Sequence, residues 1–62
     1  MQDIVREKLK TIKTERGVTY KFMATKSEVS YTTVKNFMAG RNVSEKVLEA
    51  LNNYANSILK EG

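Results

Sequence analysis

The 62-residue chain contains no cysteine, no histidine, no tryptophan and no proline. Without cysteine and histidine it has no disulfides, no thiol or imidazole chemistry, and none of the usual ligands of structural zinc. Carboxylates, lysines, tyrosines and hydroxyls are left for acid–base chemistry, and neither a glycine-rich phosphate loop nor a metal-ligand motif is present. We therefore expect no enzymatic activity, no cofactor, no metal and no small-molecule ligand.

Long apolar runs are lacking as well. No stretch approaches the roughly 18 apolar residues that cross a membrane, and no signal peptide is visible. We therefore expect a cytoplasmic protein with no membrane partner. Residues 1–62 make one domain, which must be held by helix packing, helix caps or a partner subunit, because a chain of this size buries only about 60% of its surface.

Basic residues are concentrated in the middle of the chain. Lysine and arginine outnumber aspartate and glutamate by 11 to 7, a net charge of +4. Residues 8–41 hold eight of the basic residues and only two acids, Glu15 and Glu28. A basic middle between slightly acidic flanks is typical of a polyanion-binding surface, although lysines also solubilise ordinary surfaces.

A repeated pattern predicts where three helices begin. An apolar residue, a hydroxyl residue, and an apolar residue four positions after the hydroxyl occur at Val18-Thr19 with Met23, Val29-Ser30 with Val34, and Val43-Ser44 with Leu48. This is an N-cap with its hydrophobic staple, so Thr19, Ser30 and Ser44 are predicted N-caps. Gly17 and Gly40 are predicted to end helices in the left-handed conformation that costs glycine little.

The apolar periodicity predicts four helices, over residues 3–16, 20–26, 31–39 and 45–60, and no strand. The residues predicted to face inward in the first three helices are Ile4, Val5, Leu9 and Ile12, then Met23 and Ala24, then Val34, Phe37 and Met38. The fold class is therefore all-α, a small four-helix bundle whose second and third helices form a helix-turn-helix.

The fourth helix carries two apolar stripes about 100° apart. One contains Val47, Leu51, Tyr54 and Ile58, and the other contains Leu48, Ala55 and Leu59. Both stripes can fill one wide core, which is the favoured interpretation for the first three turns, or one stripe can meet a second subunit. Because Tyr54, Ile58 and Leu59 lie furthest along the helix, we predict that they form a homodimer contact.

The outward face of the third helix is polar, aromatic and basic. In helix-turn-helix proteins the N-terminal end of this helix enters the major groove, where asparagine pairs with adenine and threonine or tyrosine contacts thymine methyl groups. We predict that Tyr31, Thr32 and Asn36 read bases, with Thr33 as a secondary candidate. The alternatives are that Tyr31 covers the edge of the core and that Thr33 bonds only to its own helix.

Phosphate contacts are predicted on either side of this face. The N-terminus of the second helix offers free N–H groups and partial positive charge to an anion. Lys35 lies about 100° from Asn36 on the helix wheel and is better placed for the DNA backbone. The predicted phosphate-binding residues are Thr19, Tyr20, Lys21, Lys35, Arg41 and Asn42. Tyr20, like Tyr31, can alternatively lie over the edge of the core.

Residues along 19–43 follow a spacing of Thr19, Met23-Ala24, Val29-Ser30, Val34, Phe37 and Gly40. This segment resembles, without a gap, the helix-turn-helix of the phage repressor and Cro family. The resemblance implies a lambda-repressor-like fold, base reading at Tyr31, Thr32 and Asn36, and a phosphate contact at Tyr20. The chain departs from the family at Glu28, where the family has the turn glycine, and it has no room after Leu59 for the family's fifth helix.

The predicted function is a sequence-specific, double-stranded-DNA-binding transcriptional regulator of Cro type, acting as a homodimer at least on DNA. The alternative is a protein-interaction module of the same fold that docks on a host factor or on another repressor. An acid beside the recognition helix, Glu28, favours that alternative because it repels nearby phosphate.

Overall fold

The computed structural model describes residues 1–61, which fold into four α-helices without a strand. These are α1 (Gln2–Arg16), α2 (Tyr20–Ser27), α3 (Tyr31–Met38) and α4 (Glu45–Glu61). The all-α class and the four helices are confirmed, and each helix end lies within one residue of its predicted position. None of these helices is long and apolar enough to cross a membrane.

Hydroxyl caps start the last three helices. The side-chain oxygens of Thr19, Ser30 and Ser44 each accept a hydrogen bond from the backbone N–H three residues later, at 3.1, 3.1 and 3.3 Å. Each such cap satisfies one orphan N–H of a helix start and stabilises the helix by about 1 kcal/mol. The three N-caps predicted from the sequence are confirmed.

Residues with positive φ follow the ends of α1, α2 and α3: Gly17 (φ 65°), Glu28 (φ 58°) and Gly40 (φ 106°). The α2 end is closed by hydrogen bonds from Val29 N–H to Ala24 O at 2.9 Å and from Glu28 N–H to Thr25 O at 3.3 Å. This is a Schellman motif. Among the described residues, Glu28 is the only non-glycine residue in the left-handed region, a conformation that costs an L-residue about 1–2 kcal/mol.

One hydrophobic core joins all four helices, with α1 packed on α4, and α2 packed on both α3 and α4. Its buried residues are Val5, Leu9, Ile12, Met23, Ala24, Val34, Phe37, Leu48, Leu51, Tyr54 and Ala55. Met38 is half-buried against it. The prediction that Ile4 faces inward is wrong, because its side chain is 58% exposed. The stripe of Val5, Leu9 and Ile12 faces the core, and Ile4 lies about 100° away from it.

Both apolar stripes of α4 serve this core. Leu48, Leu51, Tyr54 and Ala55 are buried, and Ile58 is half-buried against them. The interpretation of one wide core is confirmed. Tyr54 is 9% exposed in the single chain, so it is a core residue rather than a free dimer contact as predicted. Burial of its phenol raises the pKa of Tyr54 above its ordinary value of 10.0, because desolvation disfavours the ionised form.

Candidate nucleic-acid interface

The exposed face of α3 carries the side chains predicted to read bases. Tyr31, Thr32 and Asn36 are all exposed, as is Lys35. In chain order these four residues occupy positions i, i+1, i+4 (Lys35) and i+5 (Asn36), which lie along one side of a helix. The opposite side is fixed to the core by Val34 and Phe37, which are fully buried. The helix is thus held by one face, while its polar and aromatic face is open to solvent.

Thr33 is placed differently from its neighbours. It is half-buried, and its hydroxyl oxygen lies 2.6 Å from the hydroxyl oxygen of Ser30. Its backbone N–H donates to that same Ser30 oxygen at 3.1 Å. Because its hydroxyl is engaged with the helix cap, the geometry favours a local structural role for Thr33 over base reading.

Tyr31 and Lys35 form a pair on the open face. The Lys35 ammonium lies over the Tyr31 ring, with its Nζ 5.4 Å from the ring centroid. A cation in this position is attracted by the negative face of the ring, and the two residues are one helical turn apart. The pair holds a positive charge beside the predicted base-reading residues, while 47% of Tyr31 is exposed.

The start of α2 lies next to Tyr31. Thr19 and Lys21 are exposed, and Tyr20 is half-buried against the core. Together with Tyr31 and Lys13 they line one shallow surface groove. The groove thus brings three predicted phosphate contacts together with a predicted base contact, and the partial burial of Tyr20 agrees with the alternative that it covers the core edge.

Lys13 of α1 is a member of this groove that the sequence reasoning missed. Its Nζ lies 5.2 Å from the centroid of the Tyr20 ring. The contact brings a positive charge from α1 to the N-terminal end of α2, where partial positive charge is already present. No local sequence signal indicates it, because the packing of α1 against the rest of the bundle decides which of its lysines reaches this groove.

The α3–α4 loop carries the other predicted phosphate contacts, and both Arg41 and Asn42 are exposed. Two α1 side chains hold the loop, and we call them the loop clamp: Gln2 and Arg6. Gln2 Nε2 donates to Val43 O at 3.0 Å, and Val43 N–H donates to Gln2 Oε1 at 3.2 Å. Arg6 Nη2 donates to Arg41 O at 2.9 Å. Sequence reasoning missed both clamp residues.

Four basic residues lie around this surface. Lys13, Lys21, Lys35 and Arg41 are all exposed on α1, α2, α3 and the loop. The acid nearest to α3 in the sequence is Glu28, which is exposed in the turn before that helix. A surface of this sign and composition attracts a polyanion, while side chains such as asparagine and threonine offer hydrogen bonds to base edges. In residues 1–61 we find no group of three or more acids placed to hold a metal.

The predicted dimer residues separate in space. Tyr54 lies in the core, Ile58 is half-buried, and Leu59 is 39% exposed. Leu59 lines a surface groove between α1 and α4 together with the exposed Ile4. Of the three residues predicted from the sequence, Leu59 is therefore the most available to another molecule, and its apolar neighbour in the groove comes from α1.

Comparisons with known proteins do not assign this chain to a family. No family model matches it, and no curated protein and no solved structure is significantly similar to it.

Proposed function

We propose that this protein is a sequence-specific DNA-binding regulator of transcription that inserts α3 into the major groove of double-stranded DNA. The main support for the proposal is that α3 has one buried apolar face and one exposed polar face. Tyr31, Thr32 and Asn36 are exposed, while Val34 and Phe37 are buried. A helix anchored by one face and presenting short polar and aromatic side chains on the other suits reading of base edges.

Phosphate contacts on both sides of α3 complete the proposal. The capped N-terminus of α2, with Thr19 and Lys21, supplies free N–H groups and charge on one side. Arg41 and Asn42 supply a guanidinium and an amide on the other side. Contacts of this kind set the register of a protein on the duplex without reading sequence. We also propose the cytoplasmic location that the sequence predicts.

A titration of a fluorescently labelled random-sequence duplex tests the proposal. At low salt we expect an anisotropy increase, followed by a steep loss of affinity as salt rises and counterions compete for the phosphates. Lys21→Ala should weaken binding, whereas Lys60→Ala, which removes the same charge near the end of α4, should not. A selection from a random pool should then recover a preferred site. Absence of binding even to random duplex at low salt would contradict the proposal.

The second candidate is a protein-interaction module, with a groove between α1 and α4 as its docking surface. The exposed Ile4 and Leu59 line this groove, and apolar residues clustered on a surface are common at protein contacts. Binding to a protein instead of DNA would leave the random-duplex titration flat.

The DNA-binding proposal also includes a homodimer, because paired half-sites about one helical turn apart are the usual targets of this motif. We propose that Leu59, with Ile4 beside it, takes part in the contact. Leu59→Glu should lower self-association in sedimentation equilibrium, at high protein concentration or on DNA, because a charge is costly to bury. The matched control is Ser57→Glu, which adds the same single negative charge at another exposed position of α4. A wild-type chain that stays monomeric both free and on DNA would refute this part.

A further inference from the structure

The loop clamp fixes the backbone at both sides of the predicted phosphate contacts Arg41 and Asn42. Arg6 holds the carbonyl of Arg41, and Gln2 makes a pair of hydrogen bonds with the backbone of Val43. The N–H of Arg41 donates to Asn36 O at 3.0 Å, which ties the same residue to the end of α3. Both backbone polar groups of Arg41 are therefore engaged, while the residue itself is exposed.

We propose that Gln2 and Arg6 are positioning residues for DNA binding, which hold the loop so that Arg41 meets a phosphate, and that neither touches DNA itself. This inference rests on the proposed DNA-binding function. A loop that is already ordered loses less conformational entropy when it binds, and the smaller entropy cost makes binding tighter. Without the clamp, the Arg41 carbonyl and the backbone of Val43 would lose their side-chain partners, and only the N–H of Arg41 would stay tied to α3.

Arg6 is poorly placed for a direct phosphate contact because its guanidinium is mostly buried and holds two backbone carbonyls. Its side chain is only 16% exposed. Its Nε donates to Phe37 O at 2.6 Å, its Nη2 to Arg41 O at 2.9 Å, and its Nη1 to Asp3 Oδ1 at 2.6 Å. The guanidinium carbon also lies 4.6 Å from the centroid of the Phe37 ring. These contacts engage three of the five guanidinium N–H donors and keep the group folded against α3 and the loop, so Arg6 is poorly placed to reach out to a phosphate.

The contact geometry requires arginine at this position. Two backbone carbonyls, those of Phe37 and Arg41, are held by one planar group that stacks on an aromatic ring. A lysine has one compact ammonium and cannot reproduce this fork and stack. The positive charge also lies at the C-terminal end of α3, where it is favoured by the partial negative charge of the helix terminus. Arg6→Lys therefore keeps the charge and removes the Arg6 half of the clamp, while the Gln2 half stays.

The test is a double-mutant cycle read through the salt dependence of DNA binding. Arg41→Ala should reduce the slope of log affinity against log salt by about 0.9 for each bound subunit, the value of one phosphate contact on duplex DNA. Arg6→Lys should reduce it by up to the same amount, although it keeps its charge. The double variant should show no further reduction beyond Arg41→Ala. The inference would be overturned if Arg6→Lys had the same salt slope as wild type. It would also be overturned if the reductions in slope caused by Arg6→Lys and Arg41→Ala added in the double variant.

Lys21 provides the matched control for this cycle, because it belongs to α2 and has no contact with the clamp. Combining Arg6→Lys with Lys21→Ala should give reductions in slope that add, to a total of at most about 1.8 for each bound subunit. If Arg6→Lys acted only by weakening the whole fold, it would change the slope equally in the Arg41→Ala and the Lys21→Ala backgrounds. Such equality would overturn the inference.

A measurement on the free protein separates this inference from the proposed function. In Arg6→Lys, the ¹⁵N order parameters of Arg41 and Asn42 should fall, while those of Glu28 and Val29 in the other turn should not. Unchanged values at Arg41 and Asn42 would overturn the inference even if wild-type protein binds DNA. If wild-type protein binds no DNA, the proposed function fails and so does the role assigned to the clamp.

Gln2→Ala provides a second variant in case Arg6→Lys does not fold. It removes the two hydrogen bonds to Val43 and leaves no charge behind, so it should fold. We expect the same two effects as for Arg6→Lys, but smaller ones. The salt dependence of DNA binding should be reduced, and the order parameters at residues 41–43 should be lower. Wild-type values of both quantities would overturn the inference.

Discussion

Replacing Glu28 with glycine should stabilise the protein. Glu28 is held at φ 58° and ψ 40° after the end of α2, where its Cβ crowds the following carbonyl. That conformation costs an L-residue about 1–2 kcal/mol, and glycine avoids the cost. Glycine in turn loses about 0.5–1 kcal/mol more conformational entropy on folding than alanine does. The middle values of these two ranges predict a gain of about 0.5–1 kcal/mol in the free energy of unfolding.

Thermal unfolding followed by circular dichroism measures this gain. In a domain of this size, 1 kcal/mol corresponds to about 4–8 °C in Tm, so Glu28→Gly should raise Tm by about 2–8 °C. Glu28→Gln is the control, since it removes the charge but keeps the Cβ, and it should leave Tm nearly unchanged. A Glu28→Gly variant no more stable than Glu28→Gln would refute the argument from backbone strain.

The same two variants also test whether the charge of Glu28, as distinct from its backbone conformation, affects DNA binding. Glu28 is exposed in the turn before α3, so its carboxylate would repel a phosphate nearby. Both variants should therefore bind a random duplex more tightly than wild type, although only Glu28→Gly is more stable. If the two variants bind no better than wild type, Glu28 lies too far from the DNA to matter.

Two further predictions concern α3 and the core. Asn36→Ala should cost about 1–3 kcal/mol at the preferred site and relax specificity at one base pair, whereas Lys21→Ala should weaken all sequences alike. An unchanged sequence preference would remove Asn36 from base reading. Because the pKa of Tyr54 is raised in the folded chain, its contribution to stability is full below about pH 10 and is lost as pH rises above that value. Urea titrations should show this loss in wild type and less of it in Tyr54→Phe, and equal losses would contradict it.

Helix positions follow from signals that act over a few residues. A hydroxyl cap satisfies an N–H three residues away, and apolar residues three or four apart share a helix face. For this reason Thr19, Ser30 and Ser44 were correctly predicted as N-caps, and the exposure of Tyr31, Thr32 and Asn36 agrees with their predicted place on the outer face. Those interactions form within one segment and do not depend on how that segment packs against the others.

Long-range packing determined what these local signals could not. Ile4 and Tyr54 are both apolar residues at helical spacing, yet one is 58% exposed and the other 9%, because burial depends on which neighbouring helix covers each position. The clamp joins Gln2 to Val43 and Arg6 to Arg41, residues 41 and 35 positions apart. Many polar pairs in the sequence could meet at such separations. Only the packing of α1 against the end of α3 selects these pairs, so composition and local periodicity indicate the outward face of α3 but not the side chains that hold the loop after it.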